Sequence, residues 1–334
     1  MRAAFVLMTA LPPTKGHLHL IQFAAALASE TCVIVVSQPE EPYAFERVAA
    51  LRQACPTVRF EHIHETLPQG PDEDPDYWML WRNFLTGFGL QAGDAIVASE
   101  DYGFTLAAVT GAVFVPYDFD RGISPIKATP IRLDPLSNFA GILPEFQPLI
   151  RQRVTVLGAE STGKTTLSRS LAAAIGGHWL HEWVRPWLEH RQVKTVDEHD
   201  MHLVWQAQKA LQVHGRMLLD KPVIVQDTDL FATLGFWRNW SAWTVPGALA
   251  PEALADASDL YLITLSNIPF EADPLRYGVH ERETSDEFWI DLAEEFGLNL
   301  RVLSSSTAAD RVEEAAEIVR DHFASAVPLG YVRR

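Results

Sequence analysis

The residues from 158 to 165 read Gly158-Ala159-Glu160-Ser161-Thr162-Gly163-Lys164-Thr165 and fit G-x-x-x-x-G-K-[ST] at every position. Each residue type suits the holding of a polyphosphate. Gly158 and Gly163 let the backbone curl, so that N–H groups along Glu160, Ser161 and Thr162 can face phosphate oxygens. Lys164 would neutralise the β- and γ-phosphates, and the Thr165 hydroxyl can sit on Mg²⁺. Thr166 follows in a predicted helix whose N-terminus favours negative charge. An apolar run over 153–157 precedes the loop and a helical pattern over 167–175 follows it. That is the strand–loop–helix context the motif needs.

A carboxylate for the metal side should stand at the end of another strand. Val223-Ile224-Val225-Gln226 is apolar and β-rich and runs into Asp227. Asp227 is therefore the candidate for Mg²⁺ or its water shell, with capping of the next helix as the alternative. Asp229 is a candidate to orient or deprotonate an acceptor hydroxyl. Glu182 and Arg185 follow a strand end and suit the grip of a polyol acceptor; a solvated helix start is the plainer reading. Asp273, Arg276, His280 and Arg282 cluster among Pro269, Pro274 and Gly278, which reads as a lid. Arg276 and Arg282 are its phosphate ligands, and which one reaches the transferred group is open.

A second constellation lies in the first half. Thr14-Lys15-Gly16-His17 follows an apolar run over 3–8 and opens a helical pattern over 18–29. Alone, T-x-G-H is weak, because a His at a helix start is commonly a cap. Its weight comes from a segment about 110 residues on that ends in Thr129-Pro130-Ile131-Arg132. A hydroxyl near a helix N-terminus with an arginine three residues later suits a triphosphate, since a guanidinium can bridge two oxygens. Lys15 and His17 would meet the same phosphates from the other side. The chemistry is direct attack of a phosphate monoester on the α-phosphate of ATP, with pyrophosphate leaving and no covalent enzyme intermediate.

Both sites need strands to present them. The first half carries strand patterns at 31–37, 58–62, 95–99 and 112–115, with helical stretches at 44–55 and 78–88. The second half carries strands at 222–226, 260–265 and 300–303, with helices at 197–219 and 285–296. Strand–helix alternation predicts α/β architecture: two doubly wound parallel sheets, a Rossmann-like nucleotidyltransferase unit and a phosphate-loop kinase unit. The Pro-containing stretch 134–151 places the boundary near 150, giving domains 1–150 and 151–334. A length of 334 residues agrees with about two domains.

The formal charge of −16 argues against a broad basic face for nucleic acid or anionic membrane. No apolar run reaches the ~18–20 residues of a membrane span, and the run over 3–8 is too short for a signal-peptide core. Cys32 and Cys55 are too few for a disulfide framework or a structural zinc site. A cytoplasmic enzyme acting on small molecules is expected. A homo-oligomer is left open.

These motifs carry a resemblance. T-x-G-H and T-x-I-R resemble the (H/T)-x-G-H and I-S-x-T-x-x-R motifs of the nucleotidyltransferase superfamily. Ser99-Glu100-Asp101-Tyr102-Gly103, V-x-x-D-x-x-R over 115–121 and P-I-x-A-T-x-I-R over 125–132 resemble the bifunctional NadR-type family, nicotinamide-mononucleotide adenylyltransferase fused to ribosylnicotinamide kinase. The form of the 158–165 loop, E-x-x-R at 182–185 and D-T-D at 227–229 resemble that family's kinase half. The resemblance spans nearly the whole chain. It implies ATP, Mg²⁺, nicotinamide riboside, nicotinamide mononucleotide and NAD as ligands, with Asp118 and Arg121 on the substrate.

It also implies a tryptophan stacked on the nicotinamide ring. Trp78 and Trp81 share a helix face, and Trp81 is favoured, two core aromatics being the alternative. Lys127 stands where the family has a serine. Some members carry an N-terminal helix-turn-helix; this sequence opens at the transferase strand, so operator binding is not expected. Two other readings stay open: a transferase–kinase of another vitamin-cofactor pathway, and a nucleotide-sensing regulator with weak turnover.

Overall fold

The computed structural model describes residues 1–193, 196–240, 244–267 and 283–325. The chain divides into two units, 1–150 and 151–326.

Unit 1 runs β1 (Ala3–Met8), α1 (Lys15–Leu27), β2 (Glu30–Ser37), α2 (Ala44–Ala54), β3 (Arg59–His64), α3 (Tyr77–Gly87), β4 (Ala95–Ala98), α4 (Tyr102–Thr110), β5 (Val113–Pro116), α5 (Ala128–Leu133) and α6 (Gln147–Ile150). Its five strands are all parallel, in the order β3-β2-β1-β4-β5. Alternation sends β1 side chains to two opposite cores. Ala4, Val6 and Met8 pack with Ile21 and Leu51 of α1 and α2; Ala3 and Phe5 pack with Trp81 and Leu85 of α3 and Leu106 of α4. A sheet buried on both faces reads as nearly unbroken apolar strands, and β2 (Glu-Thr-Cys-Val-Ile-Val-Val-Ser) does so. Full burial of each such Val or Ile contributes about 1.5–3 kcal/mol.

Unit 2 runs β6 (Gln152–Gly158), α7 (Lys164–Ala174), β7 (His178–Leu180), α8 (Val184–His190), α9 (Glu198–Leu218), β8 (Val223–Gln226), α10 (Leu230–Trp240), α11 (Leu249–Ala255), β9 (Leu260–Thr264), α12 (Glu283–Glu295), β10 (Leu300–Leu303) and α13 (Ala308–Ser325). The parallel order is β10-β9-β6-β8-β7. One face packs Val154 and Val156 against Leu167 and Leu171 of α7 and Ala315 and Val319 of α13. The other packs Leu157, Tyr261 and Ile263 against Trp205, Leu234, Trp237 and Trp289. The fold class is that expected from the alternation: two doubly wound α/β sheets. Sequence patterning did not delimit α4, α11 or α13.

In both units the chain leaves the central strand first to one side and later to the other. Between β1 and β4, and beside β6, the connections diverge and leave a crevice at the carboxyl ends of the strands. The motif segments 11–17 and 158–165 follow β1 and β6 directly, so topology places each at its crevice.

Candidate functional site

In unit 2 the loop after β6 is shaped by the backbone. Gly158 has φ +139°, and a Cβ there would meet both the O and Oγ1 of Thr264 at 2.5 Å. Ser161 (φ +58°) and Gly163 (φ +85°) are left-handed and curl the loop into α7. Lys164 Nζ donates to the Gly158 and Ala159 carbonyls at 3.0 and 2.7 Å, which holds the ammonium over the loop. Thr162 is fully buried; its hydroxyl donates to Ala159 O at 2.8 Å and lies 2.7 Å from Thr264 Oγ1. Its side chain is used inside the loop, so its part in holding an anion falls to the backbone. Thr165 is partly enclosed in the first turn of α7, and Thr166 is exposed there.

β6, β8 and β7 are neighbours, so the residues after them share one rim. Asp227, 2% exposed, follows β8, and its N–H donates to Leu180 O at 3.0 Å. Glu182 stands just past β7. Burial, reinforced by the Asp227 charge, pushes its carboxyl up to about 7, against the pull of Lys164 and Arg185; Glu160 adds to the rise. The structure thus groups Glu160, Lys164, Glu182, Arg185 and Asp227. No group of three or more His, Cys, Asp or Glu among the described residues is arranged to hold a metal alone. Mg²⁺ does not need one, since it takes one or two carboxylates, a hydroxyl, phosphate oxygens and water. The hard oxygen donors of Asp227 and Thr165 fit that ion.

Asp229 does not fit the role of acceptor base. It is 1% exposed and points into the core, where Oδ2 accepts from Tyr261 Oη (2.8 Å) and Thr155 Oγ1 (3.2 Å). Its Oδ1 accepts from Ala232 N at 2.9 Å, which makes Asp229, not Asp227, the cap of α10. Burial raises its carboxyl above the usual carboxylate range. Arg276 and Arg282, with Asp273 and His280, lie outside the described residues.

Two features here were not read from the sequence. Trp183 and Trp187 stack at 5.5 Å and 30°, with the Arg191 guanidinium 4.2 Å over Trp187, beside Glu182 and Arg185. Their i, i+4 spacing was a readable signal. Gln208, 1% exposed on α9, accepts from Trp183 N (3.0 Å) and donates to Thr228 O (2.9 Å). It ties the segment of Glu182 to the segment of Asp227 and leaves no local pattern.

Unit 1 builds its site from side chains. Thr14 caps α1: its Oγ1 accepts from His17 N at 3.3 Å, while Thr14 N donates to His17 Nδ1 at 3.0 Å. A nitrogen that accepts from a backbone N–H is unprotonated, so neutral His17 carries its proton on Nε2. Burial, together with the charges of Arg132 and Arg121, lowers the His17 pKa to about 4. Arg132 Nη1 donates to Leu11 O and Nη2 to Thr129 Oγ1, both at 2.9 Å. The structure therefore gathers Thr14, His17, Arg121, Thr129 and Arg132 from two segments far apart in the chain. Lys15 opens α1 and Lys127 caps α5 without a side-chain hydrogen bond. Gly16 is required by close approach: a Cβ would lie 2.9 Å from Ile126 O. Buried Arg47 donates to Thr9 O (3.0 Å) and pairs with Glu41 (2.8 Å), bracing the turn after β1.

Two expectations change here. Asp118 accepts from Ile123 N (2.9 Å) through Oδ1 and from Ser124 N (2.7 Å) through Oδ2, so its carboxylate is already engaged in shaping its own loop. These N–H bonds, Ile123 first, hold its carboxyl below the usual range. Trp81 is 5% exposed in the core under β1 and β4 and cannot offer a face to a ligand. Trp78, edge-on to Tyr77 at 5.1 Å, is half-buried and is the accessible one of the pair.

Fold and sites define a two-unit α/β protein of phosphate-loop type. An AAA domain family matches residues 153–311. The chain is 24% identical over 290 residues to the trifunctional NAD biosynthesis/regulator protein NadR of Salmonella typhimurium, covering 79% of this chain and 69% of that protein. It is 24% identical over 337 residues to the same-named protein of Escherichia coli, covering 93% and 80%. A crystal structure of NadR in complex with NAD and AMP-PNP superposes with TM-score 0.73 at 21% identity, covering 100% of this chain and 98% of that one. The chain is homologous to NadR. No helix among the described residues is long and apolar enough to cross a membrane.

Proposed function

We propose that this chain is an NAD-biosynthetic enzyme in which unit 2 phosphorylates nicotinamide riboside with ATP. Unit 1 then adenylylates the resulting nicotinamide mononucleotide to NAD, releasing pyrophosphate. One observation carries the reading: two separate phosphate-type constellations, each at the carboxyl end of a central strand, on a fold that superposes with NadR over the whole chain. The solved relatives hold NAD with AMP-PNP in one case and NR in another, ligands that fit both halves of this scheme.

In unit 2 the loop's N–H groups and Lys164 would hold the β- and γ-phosphates. Glu182, whose pKa is pushed up to about 7, is poised to take the proton of the attacking hydroxyl at its carboxylate. Mg²⁺, when bound by Asp227 and Thr165, would neutralise charge on the phosphates. The Trp183–Trp187 stack offers π-faces beside Glu182 for a cationic pyridinium. In unit 1, His17 Nε2–H and the Arg132 guanidinium would stabilise charge on the triphosphate during in-line attack. No protein nucleophile is needed. Trp78 and Arg121 take the nicotinamide side.

The test is incubation of the chain with nicotinamide riboside, ATP and Mg²⁺, following mononucleotide and NAD by chromatography. Both products should appear in that order. Turnover of a different vitamin derivative, or tight NAD binding without product, overturns the reading.

A further inference from the structure

Arg311 lies in the first turn of α13 and is 2% exposed. Its Nη1 donates to Thr162 O at 2.8 Å, Nη2 to Leu265 O at 2.8 Å and to the Asn267 side-chain oxygen, and Nε to Ser305 O at 2.8 Å. One guanidinium thus joins the phosphate loop, the end of β9 and the turn between β10 and α13. Burying a charge costs several kcal/mol unless it is well hydrogen-bonded, so such a residue is expensive as a mere filler.

The geometry has a consequence for the loop. In a trans peptide the C=O and the following N–H point in opposite directions. Drawing Thr162 O down to buried Arg311 therefore turns Gly163 N–H up, toward the open side of the loop. Thr162 lies between Ser161 and Gly163, both left-handed, conformations that persist only where the surrounding structure holds them.

We propose that Arg311 is a positioning residue for the nucleoside triphosphate of unit 2. It aims the Gly163 N–H toward the open side of the loop without touching phosphate. This rests on the reading of unit 2 as an ATP-dependent kinase.

The test uses the full chain with Arg311→Met, Arg311→Lys and Arg311→Ala. Loss of a hydrogen-bonded charge predicts a KM for ATP raised about 10- to 100-fold in Arg311→Met, with the KM for the acceptor within about twofold. Arg311→Lys keeps the charge but not the fork, so it should recover part of the affinity. Millimolar guanidinium should recover part of it in Arg311→Ala. A merely structural arginine would lower the melting temperature and raise both KM values alike; that result, or unchanged kinetics in a folded variant, overturns the proposal. If Arg311→Met does not fold, Arg311→Lys decides: a selective rise in KM for ATP supports positioning and no rise refutes it. If the wild type does not phosphorylate the riboside, the kinase reading fails separately. AMP-PNP affinity then decides, read at the binding event that Lys164→Ala also removes, by the same selective loss in Arg311→Lys or its absence.

Discussion

The turns after β1 and β6 occupy equivalent places in their sheets and are built on opposite principles. The turn at 158–165 is made of backbone: three positive φ angles, a lysine folded onto its own carbonyls, and a Gly158 with no room for a methyl. The turn at 9–17 is made of side chains: a Thr14–His17 capping box closed by Arg132 from a distant segment. Each turn also has a buried arginine brace. Arg47 supports Thr9 O while paired with a carboxylate, Glu41. Arg311 supports Thr162 O, and its partners at Leu265, Asn267 and Ser305 are carbonyl oxygens. A backbone-made site depends on its glycines and is contiguous in the chain. A side-chain-made site is scattered, although its turn also carries one left-handed residue, Ala10 (φ +48°).

The two sites should separate most clearly at their charged residues. Lys164→Ala should lower riboside phosphorylation by ~10² or more and leave adenylylation of supplied mononucleotide nearly unchanged. His17→Ala and Arg132→Ala should do the reverse, each costing ~2–4 kcal/mol in adenylyl transfer. Separate steady-state assays of the two reactions check this, and equal loss of both in any variant sinks the two-site scheme.

The glycines sharpen it next. Gly158→Ala forces a Cβ to 2.5 Å from Thr264 O at φ +139°, so unit 2 should lose ~2–4 kcal/mol in denaturant unfolding. Gly16→Ala meets Ile126 O at 2.9 Å in ordinary helical backbone, and ~1 kcal/mol is expected. Equal losses would contradict the contrast between backbone-made and side-chain-made turns.

Acid should separate the units by a smaller effect. The His17 pKa is about 4 in the folded protein against 6.5 for the ordinary imidazole. The unfolded chain therefore binds the extra proton between those values, and unit 1 loses stability as pH falls through that window. The loss is at most about 3 kcal/mol, less where solvent reaches the ring. The ring's NMR titration should have its midpoint near 4, and His17→Gln should flatten that part of the stability profile. A midpoint near 6.5 refutes the capped, neutral imidazole.

The smallest effect concerns the two tryptophans. Trp78→Leu should weaken mononucleotide binding by ~1–2 kcal/mol with little change in melting temperature. Trp81→Leu should lower stability and leave affinity nearly unchanged, because Trp81 packs in the core. Fluorescence titration with paired melts distinguishes them, and the opposite pattern returns the stacking role to Trp81.

Much of the fold was legible because it rests on local periodicity. The apolar runs at 3–8, 31–37 and 260–265 became β1, β2 and β9 within a residue at either end, since strands covered on both faces must be apolar throughout. The amphipathic α13 (Ala308–Ser325) went undelimited, although its Ala315 and Val319 help close one face of the second sheet. Its apolar stripe is narrow and interleaved with Asp, Glu and Arg, so the helix stays hidden until its sheet is in place.

By itself the sequence determined the strand–loop–helix at 152–174, the acidic residue after β8 and the doubly wound class, because each depends on neighbours in the chain. Tertiary structure alone decided that Asp229 caps α10, that Asp118 holds its own loop, that Trp81 is core and Trp78 accessible, and that Arg311 meets Thr162 from 149 residues away. The physical reason is common to these cases. A polar or aromatic side chain takes its role from the partners that surround it, and those partners come from segments that only the folded sheet brings together.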